Sequence, residues 1–150
     1  MDPIELPPDF SEFLRLLNAH GVEYLLVGGY AVAIHGYPRA TVDMDLWVAR
    51  TRRNAEHLVS ALREFGFDMP QVTVDLFLQP DRVVRMGVAP LRIELLTSID
   101  GVEFDECSAR HVAVQLDAIE VPVISLSDLR RNKTAAGRTK DQLDLENLPE

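Results

Sequence analysis

The chain has 150 residues, 47% of them hydrophobic, which suffices for one packed core but is short for two, so we expect a single domain over residues 1–150. It lacks both the roughly 20 consecutive apolar residues of a membrane span and the basic and apolar regions of a signal peptide, so we expect a cytoplasmic protein with no membrane partner. The formal net charge of −9 argues against a broad nucleic-acid-coating surface, which needs many cationic phosphate contacts, and leaves a local contact open.

The N-terminal segments predict a helix, a buried strand and a second, short helix. Asp9 or Ser11 can cap the first helix, whose apolar residues recur at helical spacing. Residues 23–27, apolar after Glu23, are then typical of a buried strand. Gly28-Gly29 permits a tight turn from this strand into a short helix over residues 30–35.

The next predicted strand, about residues 42–48, carries two carboxylates. Successive strand side chains point to opposite faces, so Asp43 and Asp45 share one face, roughly 7 Å apart. Met44 and Leu46 then take the buried side. Two unshielded negative charges this close disfavour mutual ionisation, and a divalent cation removes that penalty. The strand therefore predicts a metal-dependent phosphate site.

The rest of the chain predicts one more helix, four strands and a helical C-terminus. Thr51 or Asn54 can open the helix, which ends at Gly66. Extended segments follow at about residues 82–88, 91–97, 111–116 and 119–124. Helices alternate with strands early and hairpins come late, so we predict an α/β (α+β) fold with a mixed sheet flanked by helices.

A C-terminal helical segment is predicted at about residues 125–148. Ser125 or Ser127 can cap its first helix, which Gly137 interrupts. Thr139 with Gln142 three residues later fits a capping box, so a second short helix is expected there.

Glycines and a third carboxylate complete the candidate chemistry. Gly28-Gly29 between a strand and a helix lets a phosphate approach the backbone amides, although turn glycines are common. Phosphoryl transfer with two metals commonly uses a further carboxylate on an adjacent strand. Glu94 is the best candidate, sharing a strand face with Arg92, and Asp75 in an alternating segment competes with it.

Three other side chains have a functional and a structural interpretation. Arg39 can hold a polyphosphate by paired hydrogen bonds, or can be an ordinary surface arginine. Trp47 shares the parity of the carboxylates and can stack on a nucleobase or simply pack on the sheet. Lys133 can reach a nucleotide or belong to a salt-linked helix surface.

Residues 26–36 and 39–46, read together, resemble the core motif of the DNA polymerase β-like nucleotidyltransferase superfamily. Residues 92–99 and 131–144 are similar to small bacterial nucleotidyltransferase-like proteins of the AbiEii toxin type. These stretches cover roughly half of the chain and occur in the expected order.

The resemblance implies a magnesium site, with manganese as the alternative cation. The implied catalytic and metal-binding residues are Asp43, Asp45 and Glu94. The resemblance also implies that Gly29 contacts phosphate and that Lys133 reaches the triphosphate. With Gly28, Arg39 and Thr41, these are the predicted nucleotide-binding residues.

The expected function is transfer of a nucleoside monophosphate from a triphosphate to a hydroxyl acceptor, with RNA, a protein and a small molecule left open. Two departures from the motif motivate an alternative: Gly29 replaces the usual serine, and Glu94 replaces the usual aspartate. The alternative is a catalytically weakened nucleotide-binding or regulatory protein, such as a toxin–antitoxin component, whose partner is an antitoxin, a toxin or a second copy. A third interpretation is a protein-interaction module with a solvated acidic cluster.

Overall fold

A computed structural model describes residues 5–38, 43–88 and 91–150, which contain one mixed sheet of six strands. In chain order the strands are β1 Tyr24–Val27, β2 Asp43–Val48, β3 Val83–Val88, β4 Leu91–Leu96, β5 Val112–Leu116 and β6 Ile119–Val123. The predicted strands agree with these bounds to within one residue. The predicted single-domain α+β architecture is confirmed.

Six helices accompany the sheet in the described residues. They are α1 Pro8–Ala19, α2 Gly28–Ile34, α3 Arg52–Phe65, α4 Phe104–Ala109, α5 Leu126–Ala136 and α6 Thr139–Asn147. A single 3-10 turn, Leu76–Leu78, lies between α3 and β3. None of the helices described is long and apolar enough to cross a membrane.

The strands lie in the order β3-β4-β2-β1-β6-β5. β2 runs parallel to β4 and β1 runs parallel to β6, while the other neighbouring pairs are antiparallel. A two-residue turn at Asp117 and Ala118, both with positive φ, joins β5 to β6, as the twist of a tight hairpin favours. β2, which carries the carboxylates, therefore lies inside the sheet between β1 and β4.

Local capping follows the sequence in two helices and departs from it in two. Thr51 accepts a hydrogen bond from the amide of Asn54, and Ser125 accepts one from the amide of Asp128. The prediction of Asp9 or Ser11 as the first cap was wrong, because α1 begins at Pro8 after Pro7, without a side-chain cap. Proline suits a first helical turn, since it lacks only an amide that has no partner there.

The capping box of α6 uses other residues than the predicted Thr139 and Gln142. Arg138 is the N-cap, and its backbone amide donates to the carboxylate of Asp141 at 3.2 Å. The Arg138 guanidinium also donates to that carboxylate, at 2.7 Å. Because Asp141 is buried and receives these bonds, it fixes the start of α6 one residue earlier than the hydroxyl pattern suggested.

Two further segments differ from the predictions. Helix α4, in the acidic segment after residue 100, was not predicted, because a single six-residue turn with one buried residue shows too little periodicity. Asp75 does not lie on a strand; it precedes the 3-10 turn, and its carboxylate lies 3.5 Å from Arg52 at the surface. The prediction of Asp75 as a competing carboxylate on a strand was therefore wrong.

The core covers both faces of β2 towards its end. Met44, Leu46 and Val48 are fully buried on one face. On the other face Trp47 is 2% exposed and meets Phe104 of α4 edge to face, with ring centroids 5.2 Å apart. Asp43 and Asp45, earlier on that same face, are only half-buried, so the sheet face opens where the carboxylates begin.

Candidate active site

The register of β2 against β4 places three carboxylates together on one sheet face. Asp45 lies opposite Glu94, and Asp43 lies opposite Arg92. Parallel neighbours are about 4.8 Å apart in the hydrogen-bonding direction, so side chains of the same parity meet across the strands. The residues predicted from alternation thus lie on adjacent strands in one row.

Gly28 closes the other side of Asp45. The end of β1 pairs with β2 through Val27 and Asp45, and Gly28 follows with a φ of +67°. A Cβ atom added at Gly28 would lie 2.1 Å from Oδ2 of Asp45, far closer than real contacts allow. Glycine is therefore required at position 28 for two reasons: the positive backbone angle φ, and the close approach of the Asp45 carboxylate.

Asp45 is the most perturbed acid of the cluster. Burial, a hydrogen bond with Glu94 and repulsion by Glu94 and Asp43 raise the pKa of Asp45 to about 7, against a smaller opposing effect of Lys140. Its Oδ1 atom is buried, and the described part of the chain offers it no hydrogen-bond partner. A buried acceptor without a donor is costly and calls for a ligand, a cation or a proton.

Arginines pair with the other two carboxylates. Arg92 Nε lies 3.4 Å from Oδ1 of Asp43, and Arg85 Nε donates to Oε1 of Glu94 at 3.0 Å. Arg85 comes from β3, where it faces Glu94 across the antiparallel β3–β4 pair. Although the three carboxylates share one sheet face, residues 5–38, 43–88 and 91–150 contain no group of three or more His, Cys, Asp or Glu side chains arranged so that it could hold a metal ion.

The other predicted nucleotide ligands are placed as follows. Gly29 lies buried in the first turn of α2. Arg39 and Thr41 lie outside the described residues, so their phosphate contacts stay predictions. Trp47 is packed, as the plainer interpretation had it: it is 2% exposed and meets Phe104 edge to face.

Lys133 lies inside a helix pair rather than on an open surface. Its Nζ lies 3.1 Å from Oδ1 of Asp141 and 3.1 Å from Oδ2 of Asp144, and all three side chains are nearly fully buried. The amine therefore joins α5 to α6, which is the salt-linked alternative raised by the sequence. A contact between Lys133 and a nucleotide stays a prediction that would require this amine to leave two buried carboxylates.

Two cations that act on the cluster, Lys140 and Arg138, were not among the site residues predicted from the sequence. Lys140 is exposed on α6 and its charge opposes the rise in the pKa of Asp45. Asp141 chiefly raises the pKa of Arg138, and Asp45 contributes to that rise. A signal was present, because positive charge is concentrated late in the sequence, but of the basic residues there only Lys133 was assigned a contact with the nucleotide.

A cleft of about 340 Å³ lies away from these residues. Trp47, Arg50, Ser98 and Glu103 are among its lining residues, at the far ends of β2 and β4. A candidate site is recognised by titratable side chains that lie together with perturbed pKa values. We therefore place the site on the sheet face that carries Asp45 and not in this cleft.

Comparison with solved structures defines the class of fold. A nucleotidyltransferase candidate from Thermotoga maritima superposes with a TM-score of 0.58 at 15% identity, covering 91% of this chain and 88% of that chain. An antigenic nucleotidyltransferase-like protein from Paracoccidioides brasiliensis gives a TM-score of 0.57 at 17% identity, covering 93% and 72%. ANT(2″)-Ia in complex with adenylyl-2″-tobramycin gives 0.52 at 13% identity, covering 91% and 83%. The fold is that of the nucleotidyltransferases.

The chain belongs to the family described as "Nucleotidyl transferase of unknown function (DUF2204)", whose pattern matches residues 8–150. No curated protein is significantly similar to it in sequence. The predicted superfamily is thus confirmed, and the AbiEii-type assignment stays a prediction.

The close approach of Gly28 to Asp45 predicts the effect of one added methyl group. Gly28→Ala should displace the Asp45 carboxylate and lower the free energy of unfolding by more than Gly21→Ala does. Gly21 has the same φ of +67°, but its added Cβ would meet only Nδ1 of His57 at 3.8 Å. Urea unfolding of both variants compares backbone strain alone with strain plus collision. Equal losses would show that Asp45 moves aside freely.

The raised pKa of Asp45 predicts a pH-dependent gain from removing its charge. The native carboxyl, with a pKa of about 7 against the ordinary 3.8, binds a proton more readily than the unfolded one. Its stability penalty therefore grows as pH rises from about 4 to 7 and is complete above that range. Without divalent cations, Asp45→Asn should raise the free energy of unfolding at pH 8, by about 4 kcal/mol at most, and much less near pH 4.

Urea unfolding at both pH values, in chelator, measures this difference. Asp68→Asn is the matched control, because Asp68 is exposed beside Arg63. A gain from Asp45→Asn that is equal at both pH values would contradict the assignment of the charge penalty to Asp45.

The burial of Lys133 predicts that it supports stability. Lys133→Met leaves two buried carboxylates without their cation and should lower the free energy of unfolding by about 3–5 kcal/mol. Lys140→Met provides the comparison, because Lys140 is exposed. Thermal unfolding of both variants gives the measurement; a Lys133→Met protein as stable as wild type would show that the amine is free to leave the helix pair.

Proposed function

We propose that the protein is a magnesium-dependent nucleotidyltransferase that moves a nucleoside monophosphate from a triphosphate to a hydroxyl acceptor and releases pyrophosphate. The main support for this proposal is the Asp45 carboxylate. One of its oxygens is buried without a hydrogen-bond partner in the described residues, and Asp45 lies opposite Glu94. Asp43 shares its strand face. Membership of a nucleotidyl transferase family supports the same reaction class.

The side chains fit a hard divalent cation by their chemistry. Carboxylate oxygens are the ligands that Mg²⁺ prefers, with Mn²⁺ as the alternative, and the unpartnered oxygen of Asp45 needs a positive partner. Asp43, Asp45 and Glu94 would hold the ion. When bound, the ion would neutralise charge on the transferring phosphate. To bind the ion, Asp43 would have to release Arg92, and Glu94 would have to release Arg85.

Other residues of the chain would bind the triphosphate and the acceptor. Gly28 and Gly29 begin α2 directly after β1, and their backbone amides would contact a phosphate of the triphosphate. The Asp45 carboxylate lies beside Gly28. Glu94, opposite Asp45 on β4, would accept a hydrogen bond from the acceptor hydroxyl and, as transfer proceeds, its proton. The protein thus contributes positioning and charge compensation, which are the main demands of phosphoryl transfer.

Loss of one strand carboxylate tests the reaction. Asp43→Asn should reduce transfer at least about a hundredfold, because a neutral amide cannot replace the charge at this position. The measurement is release of pyrophosphate and labelling of acceptors with radioactive triphosphates, using RNA, tobramycin and cell extract as acceptor sources. Asp75→Asn is the control, since Asp75 lies near Arg52 away from the cluster. Full activity of Asp43→Asn would exclude the mechanism.

A second candidate is a protein that binds a nucleotide without transferring it. The observation that favours it is the pairing of arginines with Asp43 and Glu94, which competes with cation binding. Calorimetry with triphosphate and magnesium separates the two candidates. Binding without pyrophosphate release in any acceptor mixture favours the second, and an absence of binding contradicts both.

A further inference from the structure

The candidate site has two chemically different sides, which follow from the strand order. Along one row of the sheet lie Gly28 after β1, Asp45 on β2, Glu94 on β4 and Arg85 on β3. At about 4.8 Å per strand, the row from Gly28 to Arg85 spans roughly 14 Å. The carboxylates therefore separate a side-chain-free turn at one end from an arginine at the other.

A second arginine belongs to the same end. Arg92 has the same parity on β4 as Glu94 and lies opposite Asp43. On its other side the register partner is Gly87 of β3, which contributes no side chain there. The side chains of Arg85 and Arg92 are 59% and 37% exposed. Two guanidinium groups thus line an open part of the sheet face, which we name the arginine edge.

We propose that the arginine edge binds a phosphate group of the acceptor, so that the acceptor is a phosphate-bearing molecule. This inference rests on the proposed transfer reaction. In an in-line displacement the attacking hydroxyl and the leaving pyrophosphate lie on opposite sides of the transferring phosphorus. With the triphosphate at the Gly28-Gly29 end, the acceptor approaches from the side of Glu94, Arg85 and Arg92.

Electrostatics favours this use of the two arginines over a purely structural one. The two arginine side chains are 59% and 37% exposed, whereas the side chains of Glu94 and Asp43 are 17% and 26% exposed. Solvent therefore reaches one partner of each ion pair, which weakens the contribution of the pair to the stability of the fold. A guanidinium binds a phosphate by two parallel charge-assisted hydrogen bonds. An incoming phosphate would attract Arg85 and Arg92 and release Asp43 and Glu94 for the cation. A polycationic acceptor would be repelled at this edge instead.

Binding is measured separately from transfer, so that failure of each inference is recognisable. The probe is a fluorescent single-stranded oligoribonucleotide, followed by anisotropy in magnesium buffer at several salt concentrations. The competitors are a ribonucleoside 5′-monophosphate, tobramycin, and a triphosphate analogue whose methylene bridge between the α and β phosphates prevents transfer. The monophosphate distinguishes a small phosphorylated acceptor from a nucleic-acid strand.

Arg85→Ala and Arg92→Ala are the test variants, and Arg82→Ala is the matched control. Arg82 is exposed, lies just before β3, and donates to Gln79 rather than to a carboxylate of the site. Each test variant should weaken oligonucleotide binding about tenfold, the equivalent of one charge-assisted hydrogen bond. The slope of log affinity against log salt should fall by about 0.7 for each lost phosphate contact. Arg85→Lys and Arg92→Lys keep the charge and guard against loss of folding.

The outcomes decide as follows. Arg-dependent binding that persists with the triphosphate analogue present supports the proposal. If the monophosphate competes as well as the strand, the acceptor is a small phosphorylated molecule; if it does not, a nucleic-acid strand is the acceptor. Binding that is unchanged in both variants, absent in wild type, or displaced by the triphosphate analogue overturns it, as does transfer to tobramycin at wild-type rate in both variants. If the arginine edge binds phosphate but the analogue never binds, the anion site stands and the transfer reaction falls.

Discussion

The repulsion among three carboxylates on neighbouring strands is the constraint on which the rest of the site depends. The parallel register of β2 and β4 fixes Asp45 opposite Glu94, with Asp43 two residues away on the same face. Backbone hydrogen bonds hold this register, so the charges cannot separate by moving the strands. The surroundings must therefore supply positive charge or protons. The raised pKa of Asp45 means that this carboxylate binds a proton more readily than an ordinary aspartate does.

Positive charge reaches the cluster from two directions. Arg92 comes from β4, the strand of Glu94 itself, and Arg85 from the neighbouring β3, whereas Lys140 comes from α6. The position of α6 depends in turn on the buried amine of Lys133, which joins Asp141 and Asp144 to α5. The ion pairs of Lys133 thus hold together the two helices, one of which carries the Lys140 charge that acts on Asp45.

The sequence predicted those parts of the site that follow from local periodicity. Alternation placed Asp43 and Asp45 on one face and Glu94 with Arg92 on another strand, because the side-chain period of a strand is two. The family motif then supplied the order of the elements. What alternation could not supply was which residue faces which across the sheet, so Arg85, opposite Glu94 only through the β3–β4 register, was missed.

Helix packing set a similar limit at the C-terminus. Lys133 and Lys140 both lie on helices, and the sequence does not show which amine is buried, because that depends on how α5 meets α6. Asp141 was likewise hidden as a cap, since Thr139 and Gln142 fit the usual box equally well. The burial of Lys133 thus depends on the contact between two helices, which local patterns do not show, whereas the cap of α6 was missed because two local patterns overlap.

The position of Trp47 has an experimental consequence of a different kind. It is the single tryptophan of the chain and lies two residues after Asp45 on the same strand, sealed against Phe104. Its intrinsic fluorescence therefore comes from one known place, and energy transfer to a coloured nucleotide or to a luminescent lanthanide would report distances from β2 without any attached label. Trp47 is thus an intrinsic fluorescent probe on the same strand as Asp43 and Asp45.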